Sequence, residues 1–229
     1  MPDLSIELPT AALAEEFLRV VDREGKIPAA LEALGPVIGQ EVVVLDSCGG
    51  RRARQLAEFG ATVTAVEMPV SDIALTGLIA RLSELPGGGA DAVVAFWSDL
   101  ATPRSPFIAD AMRLLRPGGR LLLVHDYGRD DVWRLRPDAC PDRVAWSQRD
   151  GPFLGDGFRI RVIHCWWTFD SPEQARELLG AAFTEAGLEL ADRMKRLRLE
   201  YNVAVYHRSA PVPESPGAET EPRLIRSLA

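Results

Sequence analysis

The chain has 229 residues, of which 47% are hydrophobic and 26% charged, ordinary values for a globular protein. Its net charge of −7 at pH 7 argues against a general nucleic-acid-binding protein and against one held at an anionic membrane surface. No apolar run approaches the length of a membrane span, and no basic-then-apolar signal pattern stands near the first residue. The three cysteines (Cys48, Cys140 and Cys165) include no Cys-x-x-Cys pair, so we expect neither a disulfide framework nor a metal site, and we expect a cytoplasmic protein.

Residues 1–40 are predicted to be a helical segment. Thr10 can cap a helix that runs to about Glu24 and carries apolar residues on one face. A second short helix follows Pro28 and is broken at Gly35. These helices can therefore cover another element of the fold.

The unit that follows is a strand, a glycine turn, a helix and a second strand. Glu41–Leu45 is a continuous apolar run, typical of a strand covered on both faces. The turn is Asp46–Gly50, whose paired glycines let a ligand approach the main chain. The second strand, Ala61–Val66, is followed at once by Glu67. Ligands of open parallel sheets bind at the carboxyl ends of the strands, where an acid can accept from ribose hydroxyls, so this unit predicts a site for a nucleoside cofactor.

The unit resembles the first two motifs of class I S-adenosylmethionine (SAM)-dependent methyltransferases, strand-D-x-G-x-G-x-G-helix-strand-acid. The matching residues are Asp46, Gly49, Gly50 and Glu67. Arg116–Arg120, followed by LLLVHDY, is similar to the family's turn into its fifth strand, and the resemblance covers roughly residues 25–208. The glycine turn is about two residues shorter than the family's, and Cys48 stands at a glycine position.

The resemblance implies an α/β fold with an open, mostly parallel Rossmann-like sheet, helices on both faces and a C-terminal antiparallel hairpin. It also implies SAM as the cofactor. The candidate cofactor-binding residues are Asp46, Cys48, Gly49, Gly50, Glu67, Met68 and Trp97. In the family, N-terminal helices often form a lid over the site; here they either do so or cover a sheet edge.

Arg51 and Arg52 stand in the first turn of the helix after the glycine turn, where cations oppose the helix dipole. Either they project into solvent, which we expect, or an anion such as the cofactor's carboxylate offsets their charge. Beyond Glu67, the leucine spacing predicts one helix from about Asp72 to Leu85. That helix leaves too little chain for the family's third strand, which we expect to be short or absent. Asp72 is a candidate for the family's adenine-contacting acid, or else a helix cap.

Two further strands are predicted to end on the ligand side of the sheet. Ala92–Trp97 is followed by a polar turn, and the Trp97 indole can pack against a ligand or belong to the core. Arg120–Tyr127 follows a helix over Pro106–Arg116, and its alternation puts His125 and Tyr127 on one face and Asp126 on the other. His125 and Asp126 are the candidate catalytic bases, with capping or pairing to an arginine-rich loop as the structural alternative.

That loop is residues 128–157, a long irregular insert in which arginines alternate with aspartates. It is either a salt-bridged surface loop or a cap over the acceptor whose arginines bind an anionic group. His164 stands beside two tryptophans and either lines an acceptor pocket or is a core histidine. The candidate substrate-binding residues are Tyr127, Arg129, His164 and Trp166.

The remaining chain is predicted to hold a strand over Phe158–Phe169 and a helix from Asp170 or Ser171 to Gly187. Leu188–Leu199 and Tyr201–His207 fit the family's last antiparallel hairpin. Residues 41–208 thus form a methyltransferase-like domain, and the proline- and glutamate-rich residues 209–229 are predicted to be a disordered tail.

Two functions follow from these observations. The first is SAM-dependent methyl transfer to a small-molecule acceptor, favoured by Glu67 and by the residues at the strand ends. The alternative is a methyltransferase fold without catalysis, acting as a binding or regulatory module, favoured by the short glycine turn. A nicotinamide dehydrogenase is disfavoured because no G-x-G-x-x-G follows the first strand. A homodimer is left open.

Overall fold

A computed structural model of the protein describes residues 8–46, 50–67, 81–136 and 141–213. These residues form a six-stranded sheet in the order β2-β1-β3-β4-β6-β5. The strands are β1 (Glu41–Asp46), β2 (Thr62–Glu67), β3 (Ala90–Phe96), β4 (Leu115–Asp126), β5 (Arg159–Thr168) and β6 (Arg198–Ser209). Strands β1 to β4 are mutually parallel, and β6 is antiparallel to both β4 and β5. The predicted fold class, an open and mostly parallel sheet with an antiparallel C-terminal pair, is confirmed.

Helices lie around this sheet, and residues 81–84 are also helical. The helices with described bounds are α1 (Ala11–Val20), α2 (Lys26–Leu34), α3 (Arg51–Glu58), α4 (Pro106–Leu114), α5 (Asp131–Arg134), α6 (Pro141–Trp146), α7 (Pro152–Gly155) and α8 (Pro172–Arg193). Thr10 caps α1 by accepting from the backbone N–H of Leu13 at 3.2 Å, and Ser171 caps α8 in the same way at Gln174. Within the described ranges, no helix is long and apolar enough to cross a membrane.

The core is two apolar layers, one on each face of the sheet. Alternation along β4 divides its side chains, with Leu122 and Val124 in the first layer and Leu121 and Leu123 in the second. Helices α1, α2 and α8 contribute to the first layer, and α4 and α7 to the second. The central strands are apolar on both faces because both faces are covered.

The N-terminal helices cover the outer edge of β5. Val21 forms an isolated antiparallel bridge with Trp167, and the N–H of Asp22 donates to the carbonyl of Trp166 at 3.2 Å. The ring of Phe17 packs edge-on against that of Trp167 at a centroid distance of 4.7 Å. These contacts give the segment the edge-covering role that the sequence allowed.

At the other edge, β2 pairs with β1 and with no second strand among residues 8–46, 50–67, 81–136 and 141–213. Only the end of the predicted helix over Asp72–Leu85 falls in the described chain, where residues 81–84 are helical. The predicted loss of the third strand and the role of Asp72 lie outside the described residues.

One predicted element is wrong. A strand was predicted over Leu188–Leu199, but the part up to residue 193 is helical. Helix α8 continues through a sharp turn at Thr184 and ends at Arg193. Gly187 does not end the helix. A side chain there would collide with the Leu179 carbonyl, so the glycine allows the two halves of α8 to pack together. The antiparallel partner of β6 is β5, and α8 connects the two strands.

The insert, residues 128–157, contains the helical turns α5, α6 and α7. Its second half is anchored by aromatic packing. Trp146 and Phe153 pack edge to face at 5.5 Å, and Phe153 stacks on Tyr206 of β6 at 4.3 Å. Phe153 is fully buried, so this half of the insert extends the second core layer.

Candidate functional site

The first four strands end together at one edge of the sheet. Asp46 is in register with Glu67 on one side and with Phe96 on the other, and Phe96 is in register with Val124. Neighbouring strands lie about 4.8 Å apart, so the backbones of the two acidic positions are directly adjacent. This confirms that both acids stand at the carboxyl edge, as the glycine-turn motif predicts.

Gly50, the last residue of the predicted glycine turn, directly precedes α3. Gly50 has a φ of +80°, a left-handed conformation that strains other residues, and a Cβ built there would meet no heavy atom of the described residues within 4 Å. The backbone at the start of α3 is therefore open to a ligand. Of the other candidate cofactor residues, Cys48, Gly49 and Met68 lie outside the described residues.

The two arginines after Gly50 have different environments. Arg51 lines a cleft of about 360 Å³ between α1 and α3, and its Nη1 lies 3.5 Å from the carbonyl of Ala14. Arg52 is 4% exposed, so the expectation that it projects into solvent is wrong. Its guanidinium lies 5.4 Å from the ring centroid of Trp97, in cation–π geometry.

Trp97 follows β3 and is buried, with 4% of its surface exposed. Its backbone N–H donates to the carbonyl of Val124 at 2.8 Å, and its indole Nε1 donates to Asp126 Oδ1 at 2.8 Å. Its φ is +45°, which is unusual for a bulky residue. The Trp97 side chain lies at the carboxyl edge of the sheet, as predicted. Its ring face contacts Arg52, and its indole N–H binds Asp126.

Asp126 accepts hydrogen bonds at both carboxylate oxygens. Oδ1 accepts from Trp97 and from the hydroxyl of Tyr201 at 2.6 Å, and Oδ2 accepts from Arg136 Nη2 at 2.9 Å. Asp126 is 3% exposed, and its ion pair with Arg136 is nearly buried. Asp126 is therefore paired with the arginine-rich loop, which is the structural role that the sequence allowed as an alternative to catalysis. A role of Asp126 as general base stays a prediction.

His125 projects from the opposite face of β4. It is fully buried, and its Nε2 donates to the carbonyl of Ala101 at 2.9 Å. Its ring lies 5.2 Å from that of Trp146 and also borders Phe153 and Tyr206. His125 and Asp126 are thus separated by the sheet and do not form one catalytic pair.

The candidate substrate residues lie on the same face as His125, across the ends of β4, β6 and β5. Tyr127 donates its backbone N–H to Asn202 at 2.9 Å, and Asn202 is in register with His164. His164 is exposed, and its Nδ1 lies 2.7 Å from Asn202 Oδ1. Arg129 Cζ lies 5.5 Å from the Tyr127 ring centroid. Trp166 stands two residues beyond His164, with the guanidinium of Arg198 4.4 Å from its ring. The structure therefore brings these four candidates to one surface.

Two aspartates of the insert were missed as structural anchors. Asp130 accepts from the N–H of Asn202 at 2.7 Å and caps α5 at Trp133, and Asp131 accepts from the N–H of Glu200 at 3.0 Å. They replace the backbone partners that β6 would lack beyond the end of β4. Burial, with smaller contributions from the charges of Asp126 and Glu200, raises the pKa of Asp130 to about 6, although its bonds from the backbone of Trp133 and Asn202 lower it. The alternating charges suggested surface ion pairs and gave no signal of this burial.

Asp22 is another buried carboxylate that the sequence interpretation missed. It accepts from the N–H groups of Lys26 and Ile27 at 2.9 and 2.8 Å, at the start of α2. Burial raises its pKa, while these bonds and the charge of Arg52 lower it. Cys165, which hydrogen-bonds to Asp22, is a buried free thiol whose pKa is raised by that burial. Over the described part of the chain, no group of three or more His, Cys, Asp or Glu side chains is placed to hold a metal ion.

Comparison with known proteins gives likenesses of fold. No protein-family model matches the chain, and no curated protein matches its sequence. A proposed type II methyltransferase from Anaeromyxobacter dehalogenans is 22% identical, covering 81% of this chain and 97% of its own with a TM-score of 0.48. A proposed sarcosine dimethylglycine methyltransferase from Galdieria sulphuraria is 12% identical, covering 92% and 95% with a TM-score of 0.46. A geranyl diphosphate methyltransferase solved in complex with SAM is 18% identical, covering 86% and 89% with a TM-score of 0.45.

The fold class rests on the sheet itself. Strands β1 to β4 run parallel, and the sheet ends with an antiparallel pair in which the last strand, β6, is inserted between β4 and β5. The chain therefore has an α/β fold with an open, mostly parallel sheet that ends in an antiparallel pair.

Proposed function

We propose that this protein is a SAM-dependent methyltransferase that acts on a small-molecule acceptor. The observation that carries the proposal is the register of Asp46 with Glu67 beside the open, left-handed backbone of Gly50. Two adjacent acidic positions suit a ligand that carries ribose hydroxyls and a positive charge, and a glycine backbone allows its close approach. The fold and this set of residues are compatible with SAM.

In this proposal the cofactor is held by the residues of the glycine turn and the two strand-end acids, with Glu67 at the ribose and Trp97 beside the site. When bound, SAM supplies a methyl group on a sulfonium centre. The chain's own contribution is to bind, to orient and to exclude water, which can carry much of the catalysis of a displacement reaction.

For the acceptor, we propose the surface formed by Tyr127, Arg129, His164 and Trp166. His125 and Asp126 remain the candidate bases. The hydrogen bonds that both already make support a positioning role, which suits an acceptor that transfers no proton to the enzyme as it attacks. We place the reaction in the cytoplasm on the grounds of cysteine usage.

Calorimetric titration with SAM and with its demethylated product tests the proposal. Glu67→Ala should weaken SAM binding at least about tenfold, because charge-assisted hydrogen bonds to the ribose contribute about 1.5–3 kcal/mol each and about 1.4 kcal/mol is a factor of ten. Glu177→Ala, which removes an exposed acid of α8, is the matched control and should bind as the wild type does.

Two results would change the proposal. If neither compound binds at millimolar concentration, methyl transfer is abandoned, and the catalytically inactive binding or regulatory module takes its place. If both bind and Glu67→Ala has no effect, the cofactor site stands but the placement of the ribose is wrong.

A further inference from the structure

Four side chains, three of them buried and the fourth nearly so, connect the start of α3 with the insert. They are Arg52, Trp97, Asp126 and Arg136. Arg52 belongs to the first turn after Gly50, and Arg136 belongs to the insert. Trp97 and Asp126 stand at the ends of β3 and β4, between them. The series therefore spans the carboxyl edge of the sheet from the glycine turn to the arginine-rich loop.

Trp97 is the strained member of the series. A φ of +45° is strained for a bulky residue and persists only when its surroundings determine it. The indole N–H bond to Asp126 and the guanidinium of Arg52 over the ring are two such determinants. Displacing either neighbour would therefore allow the indole to move.

Asp126 is the member that joins three parts of the fold. Its two oxygens bind the indole of Trp97, the hydroxyl of Tyr201 on β6 and the guanidinium of Arg136. Asp126 is 3% exposed, so each of these bonds lies in a poorly solvated environment where its strength and geometry matter most. A shift of Arg136 would therefore move the Asp126 carboxylate and, with it, the indole of Trp97.

We infer that Trp97 and Asp126 are positioning residues that couple docking of the insert to binding at the glycine turn. This inference rests on the proposed function, because it takes the ligand of that turn to be SAM. With Arg136 docked on Asp126, the indole is held under Arg52 and the first turn of α3 is fixed. Arg136 thereby controls the affinity of the cofactor site from the insert, and by reciprocity cofactor binding stabilises the docked insert.

The experiment measures the dissociation constant of SAM by calorimetry and amide hydrogen exchange by mass spectrometry, in the full-length protein. In the wild type, saturating SAM should slow exchange over residues 130–136 at least about fivefold, the lower end of typical coupling. Arg136→Gln should raise the dissociation constant by a similar factor and abolish this protection. Arg136→Lys, which retains the cation, should recover most of both effects.

Arg134→Gln is the matched control, because Arg134 lies in the same insert but makes an exposed ion pair with Asp131. It should bind SAM as the wild type does and show the same protection. Trp97→Phe keeps a ring beneath Arg52 but removes the N–H that binds Asp126, so it should reproduce the effect of Arg136→Gln. This variant also carries the test if Arg136→Gln does not fold.

Equal SAM affinity in Arg136→Gln and Arg134→Gln would overturn the inference. Amide exchange over residues 130–136 that is the same in Trp97→Phe as in the wild type would overturn it as well. If the wild type binds no SAM, the proposed function fails separately. The coupling is then judged without ligand. It is supported if Trp97→Phe speeds exchange over both 50–54 and 130–136, and overturned if either segment is unaffected.

Discussion

Gly187 lies where the two halves of α8 pack too closely to leave room for a side chain. A Cβ built at this position in α8 lies well inside van der Waals distance of the Leu179 carbonyl, and backbone atoms cannot rotate away as a side chain could. Gly187→Ala should therefore lower the free energy of unfolding by about 1–3 kcal/mol or more, the usual cost of overpacking. Urea denaturation followed by circular dichroism measures it.

Gly155→Ala is the control for this change. A Cβ at Gly155 meets no heavy atom within 4 Å, so its effect should stay within about 0.5 kcal/mol. Equal effects of the two substitutions would mean that the halves of α8 do not pack as described.

Asp130 should make stability depend on pH in a definite direction. Burial raises its pKa from 3.8 to about 6, so the folded protein binds the proton more tightly than the unfolded chain does. Its contribution to stability is fully present below about 3.8 and is lost as the pH rises to about 6. The difference in unfolding free energy between the wild type and Asp130→Asn should therefore fall across this interval and level off above it.

Urea titrations at a series of pH values test this expectation. Val132→Ala removes a buried apolar side chain from the same helical turn, and it should cost the same free energy at every pH. A constant difference between the wild type and Asp130→Asn would contradict the expectation.

At the scale of elements, the sequence was most informative where one short pattern determines one structure. The continuous run at Glu41–Leu45 became β1 almost residue for residue, and Thr10 caps α1 as its type and position predict. Apolar periodicity reports burial directly, and a capping side chain acts on the next turn alone. These features need no knowledge of the rest of the fold.

The candidate site is formed by contacts between distant parts of the chain. Local sequence patterns carry no information about such contacts. Arg52 was expected in solvent, and its burial depends on Trp97 of a different strand. Asp126 was recognised as a candidate, but its partner Tyr201 is 75 residues away. The role of Gly187 likewise depends on the reversal at Thr184, which no local signal announces.

At the scale of the whole molecule, the N-terminal helices are part of the core. The proposed division separates residues 1–40 from the domain that follows, yet their side chains belong to the first apolar layer. Phe17, Val20, Ile27 and Leu31 are each no more than 1% exposed. The end of β6 is similar, since Ala210 is buried and its N–H donates to the carbonyl of Gly119 at 2.8 Å. A test of the disordered-tail prediction must therefore cut after residue 213.

Two truncations should separate the parts of the chain that the fold requires from those it does not. Deleting residues 1–40 removes these four buried side chains among others, and the four alone are worth about 1.5–3 kcal/mol each, which is comparable to a total stability of about 5–15 kcal/mol. That protein should show no cooperative thermal transition by near-ultraviolet circular dichroism. Deleting residues 214–229 should leave the melting temperature unchanged, because their composition offers little apolar area to offset the entropy of ordering. A cooperative transition in the first variant would show that the helices are a separate unit. A fall of several degrees in the second would show that the tail's apolar residues pack against the domain.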